Sequence, residues 1–436
     1  MTNINKSYRY PNELVDGEKI VLKALLVGFQ HQDETPEQAE DLLNELAELT
    51  NTLRLKNVAA ISAKIRNINN TYIIGSGKAK EICEAAHSFE AEVIVINDFL
   101  TPSQQRNWET LADCAVIDRQ EVILDIFAAR AKTTEAVLQI ALAKATYSLP
   151  RLKRQWTHLN RQRGMAGGLG GRAEGEQQLE IDSRLVRDKI LKLKQQIEKV
   201  QQQREVQRHK RLQKPIPVAA IVGYTNAGKS SLLNVMSHAD ALVENKLFAT
   251  LDPTVRRISL PGGQDILLAD TVGFIRNLPH LLVDAFKSTL EETLLSDYLI
   301  EVLDATSSEI IEHHETTQKV LQEIGIERKQ TIVLLNKSDL VPDNKRKELA
   351  SHFPDALFIS TKTGEGLEEL RNELTLQTTA LLDVMQVIIP HSRYDIVAQI
   401  RKNCSIEAQA YEEDGVHLCI KVPDKMKKIL TPFSVE

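Results

Sequence analysis

The stretch Gly223-Tyr-Thr-Asn-Ala-Gly228-Lys229-Ser230 fits the pattern GxxxxGK[ST], and its flanks decide the fold. The apolar run Val218–Val222 before it reads as a strand, and Ser231-Leu232-Leu233 after it opens a helix. In that setting the backbone N–H groups of Gly223, Tyr224, Thr225, Asn226, Ala227 and Gly228 converge on phosphate oxygens. The helix start adds favourable partial charge. Lys229 is expected to neutralise the β- and γ-phosphates, the Ser230 hydroxyl to ligate Mg²⁺, and Ser231 to close the loop.

Three further motifs follow in order. Asp270-Thr271-Val272-Gly273 comes after the run Ile266–Ala269. A carboxylate at that strand end can hold Mg²⁺ through water, and the Gly273 N–H can meet the γ-phosphate, so Lys229, Asp270 and Gly273 are catalytic candidates. Asn336-Lys337-Ser338-Asp339 follows the run Ile332–Leu335. Asp339 can accept from guanine N1–H and the 2-amino group, a donor pair adenine lacks, so the wrong base leaves a buried acceptor unpaired. Asn336 would brace the loop, and Lys337 would pack over the ring. Ser360-Thr361-Lys362 could present a backbone N–H to guanine O6. Between the first two motifs, Phe248-Ala249-Thr250-Leu251-Asp252-Pro253-Thr254 supplies two threonines able to complete a Mg²⁺ shell when a γ-phosphate is present. The residues alone do not choose between Thr250 and Thr254. Phe274 follows the DxxG glycine, where many GTPases carry a water-orienting glutamine, so slow intrinsic hydrolysis is expected.

At 436 residues the chain should hold about three domains at ~150 residues each. Its 42% hydrophobic and 26% charged residues are those of a globular protein and exclude a disordered one. No apolar run approaches the ~20 residues of a membrane helix, and the N-terminus lacks the apolar core of a secretory signal. Cys83, Cys114, Cys404 and Cys419 are scattered without a CxxC pair, which favours a reducing cytoplasm over a zinc or disulfide framework. The net charge of −6 conceals an asymmetry. Residues 151–214 hold 17 Lys/Arg and 7 Asp/Glu, a balance of +10, which leaves −16 for the remainder. A basic element on an acidic body points to a polyanionic partner.

The periodicity predicts an α/β multi-domain chain. Residues 1–132 read as an N-terminal α/β domain with a largely parallel sheet. Strands are expected at Ile20–Val27, Val58–Ile65, Thr71–Ile74, Val93–Ile96 and Cys114–Ile117, with helices opened by Thr35-Pro36 and Thr101-Pro102 and over Gln120–Arg130. Residues 133–213 read as a basic helical hairpin with a glycine-rich tip. Its first helix starts at Thr134 and breaks near Pro150. Six glycines between Gly164 and Gly175 interrupt it, and a second helix covers Ser183–Leu212. The seam Val186, Ile190, Leu193, Ile197, Val200 spans about two heptads, too short for a dimerising coiled coil, so a monomer is expected. Residues 214–381 read as a doubly wound phosphate-loop domain, and residues 382–436 as a small C-terminal α+β domain with a hairpin at Asp414-Gly415.

The string Leu247-Phe-Ala-Thr-Leu-Asp-Pro-Thr254 and the Asp270-Thr-Val-Gly-Phe274-Ile that follows resemble the HflX family of ribosome-associated GTPases. So do Arg163-Gly-Met-Ala-Gly-Gly-Leu-Gly-Gly-Arg172 with Gln178-Leu-Glu-Ile-Asp182, and Tyr72-Ile-Ile-Gly75-Ser-Gly77-Lys78. The resemblance covers nearly the whole chain and thins after residue 382. It implies that Thr250 is the switch threonine and Mg²⁺ ligand, and that Asn226 can help hold K⁺. It also implies binding to the large (50S) ribosomal subunit and its rRNA, and dissociation or rescue of ribosomes under stress. The linker departs from the family pattern at Arg172-Ala-Glu-Gly-Glu-Gln177, where Gly-Pro-Gly-Glu-Thr is usual.

Two weaker signals remain. Arg151, Lys153, Arg154, Arg161, Arg163 and Arg172, with Trp156 and the glycine tip, form a candidate RNA-contact surface. Gly75-Ser-Gly77-Lys78 is either a tight turn or a second phosphate or ATP site, a use the resemblance allows. His313-His314 reads as solvent-exposed. Two other functional readings stay open: a large-subunit assembly GTPase, and an RNA-remodelling ATPase acting through the N-terminal domain.

Overall fold

The computed structural model describes residues 14–15, 18–19, 21–163, 170–211, 216–237, 247–248, 250, 254–261, 264–276, 293–326, 329–380, 382–422 and 424–435. Side chains are not described for 14–15 and 18–19, for 152–180, for 201 and 203–211, or for a few C-terminal positions. The glycine tip at 164–169 and the candidate site residues Ala249, Leu251 and Asp252 lie outside the described residues. The described residues divide into two compact units near Val200. Among them, no helix is long and apolar enough to cross a membrane.

In the first unit, β1 (Leu14–Val15) and β2 (Glu18–Lys19) form a short antiparallel ribbon. A parallel four-stranded sheet follows, built from β3 (Lys23–Gln30), β4 (Lys56–Lys64), β5 (Val93–Ile96) and β6 (Ala115–Asp118) in the order β4-β3-β5-β6. The chain between β4 and β5 crosses over β3, the doubly wound arrangement expected of this alternation. Its helices are α1 (Pro36–Thr52), α2 (Ser76–Ser88), α3 (Pro102–Ala112) and α4 (Arg119–Arg130). Thr35 and Thr101 each close a capping box with a glutamine three residues on, which fixes the starts of α1 and α3 where Thr-Pro predicts them. Thr71–Ile74 is not a strand. Asn69 Oδ1 accepts from the Thr71 N–H at 2.7 Å, and one antiparallel bridge, Asn69 to Ile73, closes a turn instead.

Helix α5 (Thr134–Arg163) runs through Pro150 without the expected break. An interior proline costs about 3 kcal/mol, but the helix is anchored on both sides of it. Tyr147 Oη donates to Asp118 Oδ1 at 2.9 Å. The Arg151 guanidinium donates to Gln105 Oε1 at 2.7 Å, to the Leu100 carbonyl at 2.8 Å and to Asp118 Oδ2 at 3.2 Å, and lies over the Tyr147 ring. Asp118 is fully buried and also caps α4, accepting from Glu121 N–H. Arg151, expected at the RNA surface, thus has its donors directed into the N-terminal domain. Helix α6 (Gly170–Arg211) begins earlier than the Ser183 expected. Gly170, Gly171 and Gly175 lie within it because Ala173, Glu174, Glu176, Gln177 and Gln178, strong helix formers, surround them. Leu193 and Ile197 of the predicted seam are buried, and Val186, Ile190 and Val200 are half-buried.

In the second unit, a six-stranded sheet has the order β12-β11-β10-β7-β9-β8. The strands are β7 (Val218–Val222), β8 (Thr254–Ser259), β9 (Asp265–Asp270), β10 (Tyr298–Asp304), β11 (Thr331–Asn336) and β12 (Leu357–Phe358). All pairs are parallel except β8 with β9. The associated described helices are α7 (Lys229–Met236), α8 (Ile310–Glu323), α9 (Asp343–His352) and α10 (Leu367–Ala380). The core joins Ile221, Leu232, Leu268, Ile300, Val302, Leu334 and Leu370 across sheet and helices. The C-terminal segment forms an antiparallel sheet, β13 (Asp383–Ile389), β14 (Ser405–Glu412) and β15 (Gly415–Val422), with α11 (Tyr394–Asn403) and α12 (Asp424–Leu430). Glu412 pairs with Gly415, so the hairpin turns where Asp414-Gly415 predicts.

The anchor around Asp118 is testable. Arg151→Ala should lower the stability of the first unit by about 2–4 kcal/mol in denaturant unfolding, since it strips a buried carboxylate of its cation; an unchanged midpoint would remove the anchor. Burial, with Asp118 and Asp125 nearby, pushes Glu121 up to about 8 from its ordinary 4.5. Between those values the folded chain holds a proton the unfolded chain has released. This group therefore stabilises at low pH and loses its effect as pH rises toward 8. Glu121→Gln should flatten the pH dependence of unfolding between about pH 5 and 8, and an unaltered slope would contradict the assignment.

Candidate active site

The phosphate loop is shaped by backbone that only some residues tolerate. Gly223 sits at φ +139°, and a Cβ there would fall 2.2 Å from the Val302 carbonyl oxygen. Gly228, at φ +100°, is the N-cap of α7, and a Cβ there would strike Asn336 Nδ2. Asn226 takes φ +62° at the exposed crown of the loop. Lys229 lies across the loop, donating to the Gly223 carbonyl at 3.0 Å and the Tyr224 carbonyl at 2.7 Å. Burial pulls its ammonium down to about 8, opposed by the Asp270 carboxylate.

Three hydroxyl or carboxylate oxygens from separate segments meet beside it. Ser230 Oγ is 2.7 Å from Thr250 Oγ1 and 2.7 Å from Asp270 Oδ2, and Thr250 Oγ1 is 2.8 Å from the same Oδ2. Thr254 instead starts β8, exposed, opposite Asp270 in the ladder. The structure therefore brings Thr250 rather than Thr254 to the oxygen cluster. Asp270 is 1% exposed, and burial raises its carboxyl above its usual range against the pull of Lys229, Ser230 and Thr250. Its second oxygen, Oδ1, is buried without a hydrogen-bond partner. Hard oxygen donors with an orphaned carboxylate oxygen suit a small divalent cation such as Mg²⁺.

Gly273 passes Lys229 closely, and a Cβ there would lie 2.9 Å from Nζ and 2.8 Å from Thr225 Cγ2. Thr271 donates its hydroxyl to the Ile221 carbonyl, and Val272 is buried. Phe274 is buried, and its backbone bridges to the loop: its N–H donates to Gly223 O at 3.1 Å and its carbonyl accepts from Thr225 N–H at 2.8 Å. Phe248 is buried in a left-handed conformation.

The base-side motif is braced from within. Asn336, buried, donates through Nδ2 to the Ala227 carbonyl at 2.8 Å and accepts from the Thr361 N–H at 3.1 Å. One side chain thus ties the phosphate loop to the Ser360-Thr361-Lys362 turn. Lys337 takes φ +63° and pairs with Asp304 at 2.6 Å. Ser338 donates to Glu365 at 2.9 Å, and Ser360 donates to Asp339 Oδ1 at 2.7 Å. Asp339 is exposed, with its second carboxylate oxygen toward no partner among the described contacts. Lys362 is exposed on the turn beside it. Asp304 and Glu365 carry no motif signature, and sequence reading did not find them. The consecutive histidines His313 and His314 also differ from expectation. His314 Nδ1 lies 3.0 Å from the fully buried Glu301, and His313 stacks on Tyr224, so neither is simply solvent-exposed.

In the first unit, Gly75 is the N-cap of α2 without a side-chain cap, and Gly75 and Gly77 border open space. Gly75, but not Gly77, lines a cavity of about 650 Å³ with Lys64, Arg66, Asn69 and Lys78, the last paired with Glu81 at 2.8 Å. Lys153, Arg154, Trp156, Arg161, Arg163 and Arg172 lie on α5 and α6, with side chains outside the described set.

Comparison with known proteins fits this layout. Residues 40–128 match the family described as GTP-binding GTPase N-terminal, 130–211 that described as GTP-binding GTPase Middle Region, and 218–337 that described as 50S ribosome-binding GTPase. GTPase HflX of Akkermansia muciniphila is 44% identical over 421 residues, spanning 94% of this chain and 96% of that protein. GTPase HflX of Escherichia coli is 39% identical over 384 residues, spanning 87% and 89%. A solved GTP-binding protein from Sulfolobus solfataricus, in complex with GDP, is 27% identical over 83% of this chain and 100% of that one, with a TM-score of 0.45. With such relatives along nearly its whole length, and a phosphate loop, DxxG and NKxD assembled at one strand edge, the chain belongs to the HflX family of GTPases.

Proposed function

We propose that this GTPase is a GTP-gated factor that binds the large ribosomal subunit and dissociates or rescues ribosomes in the cytoplasm, acting as a monomer under stress. The observation that carries the gating is the meeting of Ser230, Thr250 and Asp270 oxygens. Thr250 belongs to a loop distant in sequence from the other two. A triphosphate with Mg²⁺ would recruit its hydroxyl, and a diphosphate would release it. The match of residues 218–337 to ribosome-binding GTPases and the +10 charge of residues 151–214 support the partner. We divide the chain into 1–132, 133–213, 214–381 and 382–436; the three family matches, 40–128, 130–211 and 218–337, follow the first three segments to within a few residues at the boundaries near 130 and 213 and do not reach the fourth.

In hydrolysis the chain's own groups bind and orient. Lys229, held by two loop carbonyls, is placed to move onto β- and γ-phosphate oxygens, whose charge favours its protonated form. The bound Mg²⁺ would supply charge neutralisation on those phosphates. The Gly273 N–H would meet the γ-phosphate, and K⁺ would sit near Asn226. Asp339 reads the base, held in its rotamer by Ser360. The Phe274 side chain offers no hydrogen bond to water, so hydrolysis by the chain alone would be slow, with room for stimulation by the ribosome.

A second reading concerns the N-terminal domain. The cavity lined by Gly75 and Lys78, with Lys64 and Arg66 on its wall, favours a second phosphate-bearing ligand such as ATP. Large-subunit assembly, without splitting of intact ribosomes, is the third.

Asp339→Asn should weaken GTP binding by about 2 kcal/mol or more and make xanthosine triphosphate competitive in fluorescent-nucleotide displacement; an unaltered base preference would sink the pocket. Ribosome binding should fall linearly in log K against log salt, and charge reversal at Arg154, Arg161 and Arg163 should flatten that slope while sparing GTP affinity. Sedimentation with purified 50S subunits checks both, and intact binding by the reversed variant would remove the hairpin's role. Free subunits released from intact ribosomes by the GTP-bound chain separate splitting from assembly.

A further inference from the structure

Past Gly273 the chain is fastened to the phosphate loop at successive points. Phe274 bridges Gly223 and Thr225 through its backbone, and two residues later the Arg276 N–H donates to the Tyr224 hydroxyl at 2.9 Å. The Tyr224 ring lies flat on the His313 imidazole, with centroids 3.8 Å apart and planes 12° from parallel. His313 Nε2 is 3.7 Å from Glu309 Oε2 one helical turn earlier. Glu309 Oε1 in turn is 2.7 Å from Arg276 Nη1. The four residues close a ring, Arg276 joining through both its backbone and its guanidinium: Tyr224 of the phosphate loop, Arg276 after DxxG, Glu309 at the N-cap of α8, and His313 on its first turn. All are withdrawn from water, Tyr224 at 5% and the other three side chains at 14–16% exposure.

None of the four occupies a specified position of the nucleotide motifs. Tyr224 fills one of the unspecified positions of GxxxxGKS, and an aromatic ring is not needed there to bind phosphate, since only the backbone faces the ligand. Its side chain points the other way, into α8. The consequence falls on the segment that begins at Gly273, whose N–H must meet the γ-phosphate and whose next residue, Phe274, cannot orient water. With no side-chain acceptor at that position, placement of the backbone carries the chemistry, and small misplacements are costly.

We propose that Tyr224, Glu309 and His313 are positioning residues for GTP hydrolysis: the stacked His313 fixes the Tyr224 ring, whose hydroxyl holds the Gly273–Arg276 segment in hydrolytic register against the phosphate loop. The proposal rests on the GTP site above. The bond from Arg276 is a backbone one, so it needs no particular residue at 276, whereas the clasp on Glu309 needs the guanidinium. The ring also makes α8 a lever on that segment, because Glu309 and His313 both belong to its first turn.

The full-length chain carrying Tyr224→Phe, His313→Ala, His313→Phe or the pair Tyr224→Phe/His313→Ala would be compared in single-turnover GTP hydrolysis and in fluorescent GDP binding. Tyr224→Phe and His313→Ala should each slow hydrolysis about ten-fold with GDP affinity within about two-fold of native. His313→Phe, which keeps the stack, should recover most of the rate. The pair should be no slower than its worse member within about two-fold, as for one coupled unit. Native rates in both single variants, equal loss in His313→Phe and His313→Ala, or loss of GDP affinity in parallel with rate would overturn the positioning role. Tyr224→Phe removes a single oxygen atom, so the test survives a folding defect at 313. A native chain that binds no GTP would overturn the site beneath the proposal, whereas native binding with unaffected variants overturns the positioning role alone.

Discussion

The structure turns on three oxygens, of Ser230, Thr250 and Asp270, held within 2.8 Å of one another by three stretches of chain. Bringing a buried carboxylate against two hydroxyls leaves Asp270 Oδ1 unsatisfied and its carboxyl raised, an arrangement that favours a bound cation. Lys229 lies over the same point, itself lowered to about 8 by burial. The site is thus electrostatically incomplete as a set of protein groups, and a magnesium nucleotide would complete it under the proposed function. Because Thr250 contributes from a separate stretch of chain, completion would also be a conformational event.

The geometry around that point follows from close backbone approach. Gly223 clears the Val302 carbonyl, Gly228 clears Asn336, and Gly273 clears Lys229. Asn336 then joins the phosphate loop to the Ser360-Thr361-Lys362 turn through a single side chain, so phosphate and base recognition would share one frame. The sheet supplies that frame: β7, β9, β10 and β11 end at one edge, where a doubly wound fold gathers its loops.

Much of this was legible in the sequence because the constraints are local. A glycine at positive φ, a strand before it and a helix after it leave a fixed spacing, and the Thr-Pro starts of α1 and α3 carry their own capping boxes. What escaped is tertiary. Pro150 predicts a break, but Tyr147 and Arg151 flank it with bonds to Asp118, more than 25 residues away. Arg151 reads as an RNA contact by charge alone, yet its donors face a buried carboxylate. His313 sits in a polar-looking segment, and nothing local announces that Tyr224 will cover it. Spacing alone leaves Thr250 and Thr254 equal; the family resemblance points to Thr250, and Thr250 is the one whose hydroxyl lies against Asp270. Gly170, Gly171 and Gly175 were outvoted by their helix-forming neighbours.

The most direct test of the central claim is isothermal titration of the full-length chain with non-hydrolysable GTP and ATP analogues, each with and without magnesium. A magnesium-enhanced affinity for the guanine analogue, at least about 100-fold above the adenine one and abolished in Lys229→Ala, is the expected result. Equal affinity for the two bases at the Lys229 site, or indifference to magnesium, would contradict a pocket built to read guanine and to gate on its terminal phosphate.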